Sequence, residues 1–383
     1  MRSHPPQVAP LGIVLALSML TGAGPGSRAS GEEPRPASAT SATCLATGQT
    51  LWPYTPADSG TSTGSPESQE REGEAPGSPQ ARIDRLRSQW AQDPQNGKYA
   101  QALTLAYIHL KSYPLAESVI ARYKSECGST ALTHGLESEL HFQQQQYETA
   151  FHEARESIKI SDQNPRMHEI LGLIYAVRRS YQNALPELEI AARQAPDNPQ
   201  VRYFYGRNLY TTGHYPEATK EFLACLHLNP KHVRALENLG LCYEALGEFS
   251  KAVDSYKQAI TLRSAEPNSK DVEAYAYYGT LQARLGQNTE AVATLQKALS
   301  INPRSFRANY ELGKLSLDHG DLDQAERYLF AAVKLVPTFS QTYYLIGRMY
   351  IKEHRQQDAQ NYFAVFQQLN NIPANREFPY PRE

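Results

Sequence analysis

Residues 165–198, PRMHEILGLIYAVRRSYQNALPELEIAARQAPDN, run directly into residues 199–232, PQVRYFYGRNLYTTGHYPEATKEFLACLHLNPKH, and the two stretches align without a gap. Each has glycine at its eighth place (Gly172, Gly206), alanine at its twentieth (Ala184, Ala218) and proline near its end (Pro196, Pro230). The glycine recurs at Gly240, Gly279, Gly313 and Gly347, so successive steps are 34, 34, 39, 34 and 34 residues. Each of these is again followed twelve residues on by alanine: Ala252, Ala291, Ala325 and Ala359. A fixed period of this size means stacked units that bury their apolar faces against their neighbours.

The spacing has a physical sense. Gly and Ala recur where two helices must cross closely, and Leu, Tyr and Phe fill the wider gaps. Gly213, Gly247, Gly286 and Gly320 lie seven residues beyond their partner glycines, where a helix should end in a left-handed residue. Pro114 and Pro216 follow as first residues of a second helix. Stepping by 34 from Gly97 starts units at 97, 131, 165, 199 and 233; after five inserted residues around Ser264 to Lys270, units start at 272, 306 and 340. The first two units have Thr104 and Ser138 in place of the glycine but keep Ala116 and Ala150. Ile83, Leu86 and Trp90 share a helix face ahead of Asp93-Pro94, which reads as an N-terminal cap.

These motifs resemble the tetratricopeptide repeat family over about three quarters of the chain. The Leu-Gly pairs Leu171-Gly172, Leu239-Gly240 and Leu312-Gly313 carry the resemblance. So do Tyr175, Tyr243 and Tyr350, the large residues Phe222, Tyr256 and Phe363, and the closing prolines Pro196, Pro230, Pro303 and Pro337. Glu137, Gln282 and Ser316 depart from the pattern, and packing is expected to be looser there. The resemblance implies an all-α, right-handed superhelical solenoid of about eight helix-turn-helix repeats, preceded by a capping helix, with a concave inner groove.

Expected boundaries are a signal peptide over 1–23, a Pro/Gly/Ser/Thr-rich disordered tether over 24–80 and a capping helix over 81–96. The solenoid follows over 97–373, with its insertion near 264–270, and a tail over 374–383. The apolar run LGIVLALSML at 11–20, after Arg2 and before Thr21-Gly22-Ala23, reads as a cleaved export signal and is too short for a permanent anchor. Residues 24–80 contain no Ile, Val, Phe or Met, so they cannot bury enough apolar surface to offset chain entropy. Leu51-Trp52-Pro53-Tyr54 is a more apolar island there, read as an incidental part of the tail rather than a docking motif. The insertion reads as a tolerated surface loop, and the tail as a fraying end.

With 38 Lys+Arg against 40 Asp+Glu the chain is nearly neutral, which excludes a general electrostatic pull toward nucleic acid or anionic membrane. The spacing of Cys44, Cys127, Cys225 and Cys242 matches neither a metal site nor a dense disulfide framework, and Cys225 and Cys242 fall at core positions. The eleven histidines scatter singly and form no HExxH. No phosphate-cradling loop and no nucleophile elbow occurs, so catalysis, a cofactor and a metal are not expected.

In this family the second, fifth, ninth and twelfth positions of a unit face the groove. Here they hold Tyr203 with Arg207, Tyr310 with Lys314, and Tyr344 with Arg348, joined by Tyr210, Arg234, Thr280 and Arg307. Each Tyr and its cation are four residues apart and share a helix face. Tyrosine offers rigid apolar area with a hydroxyl, and arginine grips carboxylates through paired hydrogen bonds. Glu139, Glu169 and Glu237 make the earlier half of the groove acidic. The expected role is a non-catalytic scaffold or adaptor of the bacterial envelope, periplasmic or extracellular. It would bind a protein or peptide partner of acidic character or ending in a free carboxylate. The alternatives are a substrate-recruiting accessory of a separate envelope peptidase or glycan-modifying enzyme, and a cytoplasmic adaptor. The groove reading requires the tyrosines to line the hollow rather than the seams between units.

Overall fold

The computed structural model describes residues 79–266 and 269–371. The expected signal peptide, all but the last two residues of the tether, the 51–54 island and the 374–383 tail lie outside the described residues. Within them the chain forms seventeen α-helices and no strand. The opening helix, α1, spans Pro79–Gln92. Eight hairpins follow, and in each the even-numbered helix comes first. They are α2 Gly97–His109 with α3 Tyr113–Cys127, α4 Ala131–Gln143 with α5 Tyr147–Ile160, α6 Pro165–Val177 with α7 Tyr181–Gln194, and α8 Pro199–Thr211 with α9 Tyr215–Leu228. After these come α10 Val233–Ala245 with α11 Phe249–Ser264, α12 Glu273–Arg284 with α13 Asn288–Ile301, α14 Phe306–His319 with α15 Leu322–Leu335, and α16 Ser340–Lys352 with α17 Gln356–Asn370. Each helix packs on its hairpin partner and on the next unit, so the core is a chain of small clusters rather than one centre.

Side-chain size alternates with the helix crossings. A Cβ built on Gly172 would stand 2.5 Å from Leu188 Cγ, and one on Gly240 2.4 Å from Tyr256 Cε1. Of the two units without glycine, the second compensates in the partner and the first does not. In the register that pairs Gly172 with Leu188, Ser138 is paired with Ala154 and Thr104 with Ile120. The Ser138 hydroxyl then donates to Ala150 O at 2.9 Å.

Every hairpin turn uses one left-handed residue at the fifteenth place. Gly213, Gly247, Gly286 and Gly320 have φ of 84°, 76°, 77° and 84°, while Lys111, Gln145, Arg179 and His354 take the same conformation with side chains attached. The following N–H reaches back five residues, as Ser180 N does to Tyr175 O at 2.8 Å and Glu248 N to Tyr243 O at 2.8 Å. Pro114 and Pro216 are the second residues of their helices, after Tyr113 and Tyr215, and not the first. The turn still leaves their missing N–H harmless.

Cys225 and Cys242 are free and fully buried. Cys127, at the end of α3, is disulfide-bonded, a pairing the cysteine spacing gave no sign of. Cys44, the remaining cysteine, lies outside the described residues. The insertion lengthens α11 to 16 residues. It is tied down by buried Arg263, whose guanidinium pairs with Glu266 at 3.3 Å and with Asp271. No helix among the described residues is long and apolar enough to cross a membrane.

Candidate functional site

The first helices of units four to eight, α8, α10, α12, α14 and α16, carry the residues singled out for the groove. Tyr203 is only 4% exposed. Its ring stands 4.7 Å from that of His232 and 6.1 Å from Phe222, and burial raises its hydroxyl pKa. Tyr203 therefore fills the seam between units four and five and does not line the hollow. The fifth place of a unit is turned into the next hairpin here because His232, the cap of α10, offers a flat neighbour. Arg207, one turn later, is exposed. Tyr210 is half-buried beside Tyr215, 5.5 Å between ring centres.

Tyr310 is held between Phe306 at 5.9 Å and Phe339 at 5.3 Å. Tyr344 is 40% exposed and rests on Phe363 and Phe366 of α17. Its ring is the tyrosine of the three pairs most open to solvent. The Thr280 hydroxyl donates to Ala276 O at 2.8 Å, so it serves its own helix first.

The cations stay outward. Arg234 is exposed, and its carbonyl accepts from Asn238 Nδ2 at 2.7 Å. Arg307 lies 4.5 Å above the Tyr277 ring and 3.8 Å from Glu273. Lys314 is 4.0 Å from Glu311, and Arg348 is 3.4 Å from Asp318. The Lys314 and Arg348 pairs are loose and their cations part-exposed, so they contribute little to stability.

Three residues outside the sequence pattern complete the surface. Burial raises the Glu311 carboxyl, and Lys314, Arg307 and Arg284 oppose that shift, so three cations gather about one acid. Burial likewise raises Tyr210, and Arg307, three units further on, is near enough to oppose it. Tyr277 and Glu311 hold the sixth place of their units and Arg284 the thirteenth, one step from the positions searched in the sequence. Because both places neighbour groove positions on the same helix face, widening the search by one residue would have found them.

The earlier half is less acidic than expected. Arg166 takes Glu139 with two hydrogen bonds, Nε to Oε2 at 2.7 Å and Nη2 to Oε1 at 3.0 Å, and lies 2.8 Å from Glu169. Burial alone would raise Glu139, but Arg166 more than offsets it and leaves its pKa lowered. Glu237 is also buried, and Oε1 accepts no hydrogen bond among the described residues. Burial first and Asp271 next push its carboxyl up to about 8, so it is neutral at pH 7. Arg166 offsets one of the two negative charges of Glu139 and Glu169, and Glu237 is mostly protonated, so the acidity that remains is small.

A family model described as "Tetratricopeptide repeat" matches residues 136–199 and 206–267, and a second of the same description matches 282–349, together just over half the chain. A curated relative is the TPR repeat-containing protein YpiA of Bacillus subtilis, 25% identical over 216 residues, covering 55% of this chain and 49% of that protein. Another is Tetratricopeptide repeat protein 6 of Homo sapiens, 27% identical over 149 residues, covering 39% of this chain and 27% of that protein. The chain thus spans from about a quarter to a half of the length of these relatives. Among solved structures, PilW, described as a type IV pilus biogenesis factor, aligns with a TM-score of 0.47 and 19% identity, covering 55% of this chain and 96% of that one. The chain belongs to the tetratricopeptide repeat family, and its hairpins form the right-handed superhelical solenoid of that family.

Proposed function

We propose that the solenoid is a non-catalytic adaptor whose inner face, over units four to eight, holds an acidic segment of a partner protein. The observation that carries this is the row of outward cations, Arg207, Arg234, Arg307, Lys314 and Arg348, set among Tyr210, Tyr277, Tyr310 and Tyr344. Arginine and lysine supply charge and directed donors, and the part-open rings supply rigid apolar area. Tyr203 supports the surface from beneath. Family members act as protein-interaction modules, which supports the class of partner.

Export to the cell envelope fits two features. The apolar run at 11–20 has the form of a secretory signal. The disulfide at Cys127 suits an oxidising compartment better than a reducing one.

The test is fluorescence anisotropy of a labelled Glu/Asp-rich peptide with the full chain. Joint substitution Arg207→Glu, Lys314→Glu and Arg348→Glu is expected to weaken binding at least tenfold, with the helical circular dichroism unchanged. Equal binding by the substituted and native chains would remove the inner face from consideration.

A further inference from the structure

The second unit carries a cluster that the groove does not use. His134 Nδ1 lies 2.7 Å from Glu153 Oε2 and 3.9 Å from Glu137 Oε2. The three ligand atoms all fall within 4.8 Å of one another, and the three side chains are half-buried. His134 and Glu137 are one turn apart on α4, and Glu153 comes from α5. His152 Nδ1 stands 3.3 Å from the other Glu153 oxygen.

The repeats themselves supply the comparison. A base at the fourth place paired with an acid at the twenty-third recurs in the next two units, as His168 with Glu187 at 2.7 Å and Arg202 with Glu221 at 2.9 Å. That pair alone is a strut between two helices. What sets the second unit apart is Glu137. Its place holds Leu, Tyr or Ile in all seven other units, as at Leu171. A carboxylate there gives up the apolar packing of a leucine, and it does so beside a His–Glu pair. His152 adds a second imidazole that no other unit has at its place.

We propose that His134, Glu137 and Glu153, with a solvent molecule as the fourth ligand, bind one divalent transition-metal ion of the zinc type. Imidazole nitrogen with carboxylate oxygens is a donor set that zinc accepts in four-coordinate geometry. Metal–ligand bonds of about 2.0–2.2 Å place neighbouring ligand atoms about 3.4 Å apart. To reach about 3.4 Å, the His134–Glu153 pair must open by about 0.7 Å and the His134–Glu137 gap must close by about half an ångström, shifts of the size that side-chain rotation supplies. Lys124 Nζ holds the other oxygen of Glu137 at 2.7 Å, which turns Oε2 toward His134 while competing for its charge. The ion ties α4 to α5 and, through Glu137 and Lys124, to α3.

The test is calorimetric titration of the chelator-stripped full chain with zinc chloride, paired with thermal melts. One equivalent is expected to bind at micromolar concentration or tighter and to raise the melting temperature. Glu137→Leu restores the residue used in other units, so it keeps the metal-free melt and is expected to lose at least tenfold in affinity. His168→Ala, in the neighbouring strut where Glu187 and Asp162 sit on opposite ring nitrogens and so do not converge, is expected to leave binding unchanged. Absence of saturable one-equivalent binding, or a Glu137→Leu chain that binds like the native one, overturns the proposal.

Discussion

At the scale of single residues, the fold rests on a few places where one atom more does not fit. Gly240 faces the Tyr256 ring, and that ring cannot swing away because it is fully buried and its hydroxyl donates to Glu244 Oε1 at 2.6 Å. Gly240→Ala is therefore expected to destabilise by about 1–2 kcal/mol despite alanine's better helix propensity, as read from a denaturant melt. Arg179 is the opposite case, a side chain held in the left-handed region at φ 56°. Arg179→Gly is expected to stabilise by about 1 kcal/mol, because that conformation strains any residue with a Cβ. Glu237 gives the clearest pH signature. Its carboxyl ionises near 4.5 in an unfolded chain but is pushed up to about 8 in the fold by burial. Folding therefore takes up a proton between those values, so its contribution is complete below 4.5 and is lost as pH rises toward 8. Glu237→Gln is expected to flatten the fall in melting temperature over that window. A substituted chain whose melting temperature keeps the native slope would show that the carboxyl is not the cause.

At the scale of elements, the hairpins were legible because their signals are local and repeated. Gly172 with Ala184, and Gly206 with Ala218, mark crossing points that any stacked pair of helices must share. The non-glycine turns were not legible. Lys111, Gln145, Arg179 and His354 adopt the left-handed state because the surrounding hairpin imposes it, and nothing in the residue itself announces that. The insertion shows the same limit. Its clamp depends on Arg263 being buried between Glu266 and Asp271, a tertiary fact with no local spacing to reveal it. Within α7, Pro186 occupies an exposed interior position where its ring removes one backbone hydrogen bond. Pro186→Ala is expected to stabilise by about 1–3 kcal/mol, visible as a raised thermal midpoint. An unchanged or lowered midpoint would mean that the proline shapes the seam with the next unit.

At the scale of the whole solenoid, sequence position predicts charge better than it predicts exposure. The cations Arg207, Lys314 and Arg348 stay at the surface because a long charged chain resists burial. Tyrosine is ambivalent, so its fate follows the neighbours. Tyr203 has a His and a Phe to pack against and disappears into a seam, whereas Tyr344 near the end of the stack remains partly open. The acids were over-weighted for a related reason: Glu139 and Glu169 share Arg166 across two units, and burial keeps Glu237 mostly protonated. The cluster at His134 was hidden because its members come from two helices at spacings that match no short motif.

The central claim is that partners meet the inner face of the later units. Cross-linking mass spectrometry of the native protein with amine-reactive reagents tests it most directly. The account predicts partner cross-links at Lys314 and Lys352, which sit on first helices. Cross-links confined to Lys220, Lys257 and Lys297 on the second helices would contradict it.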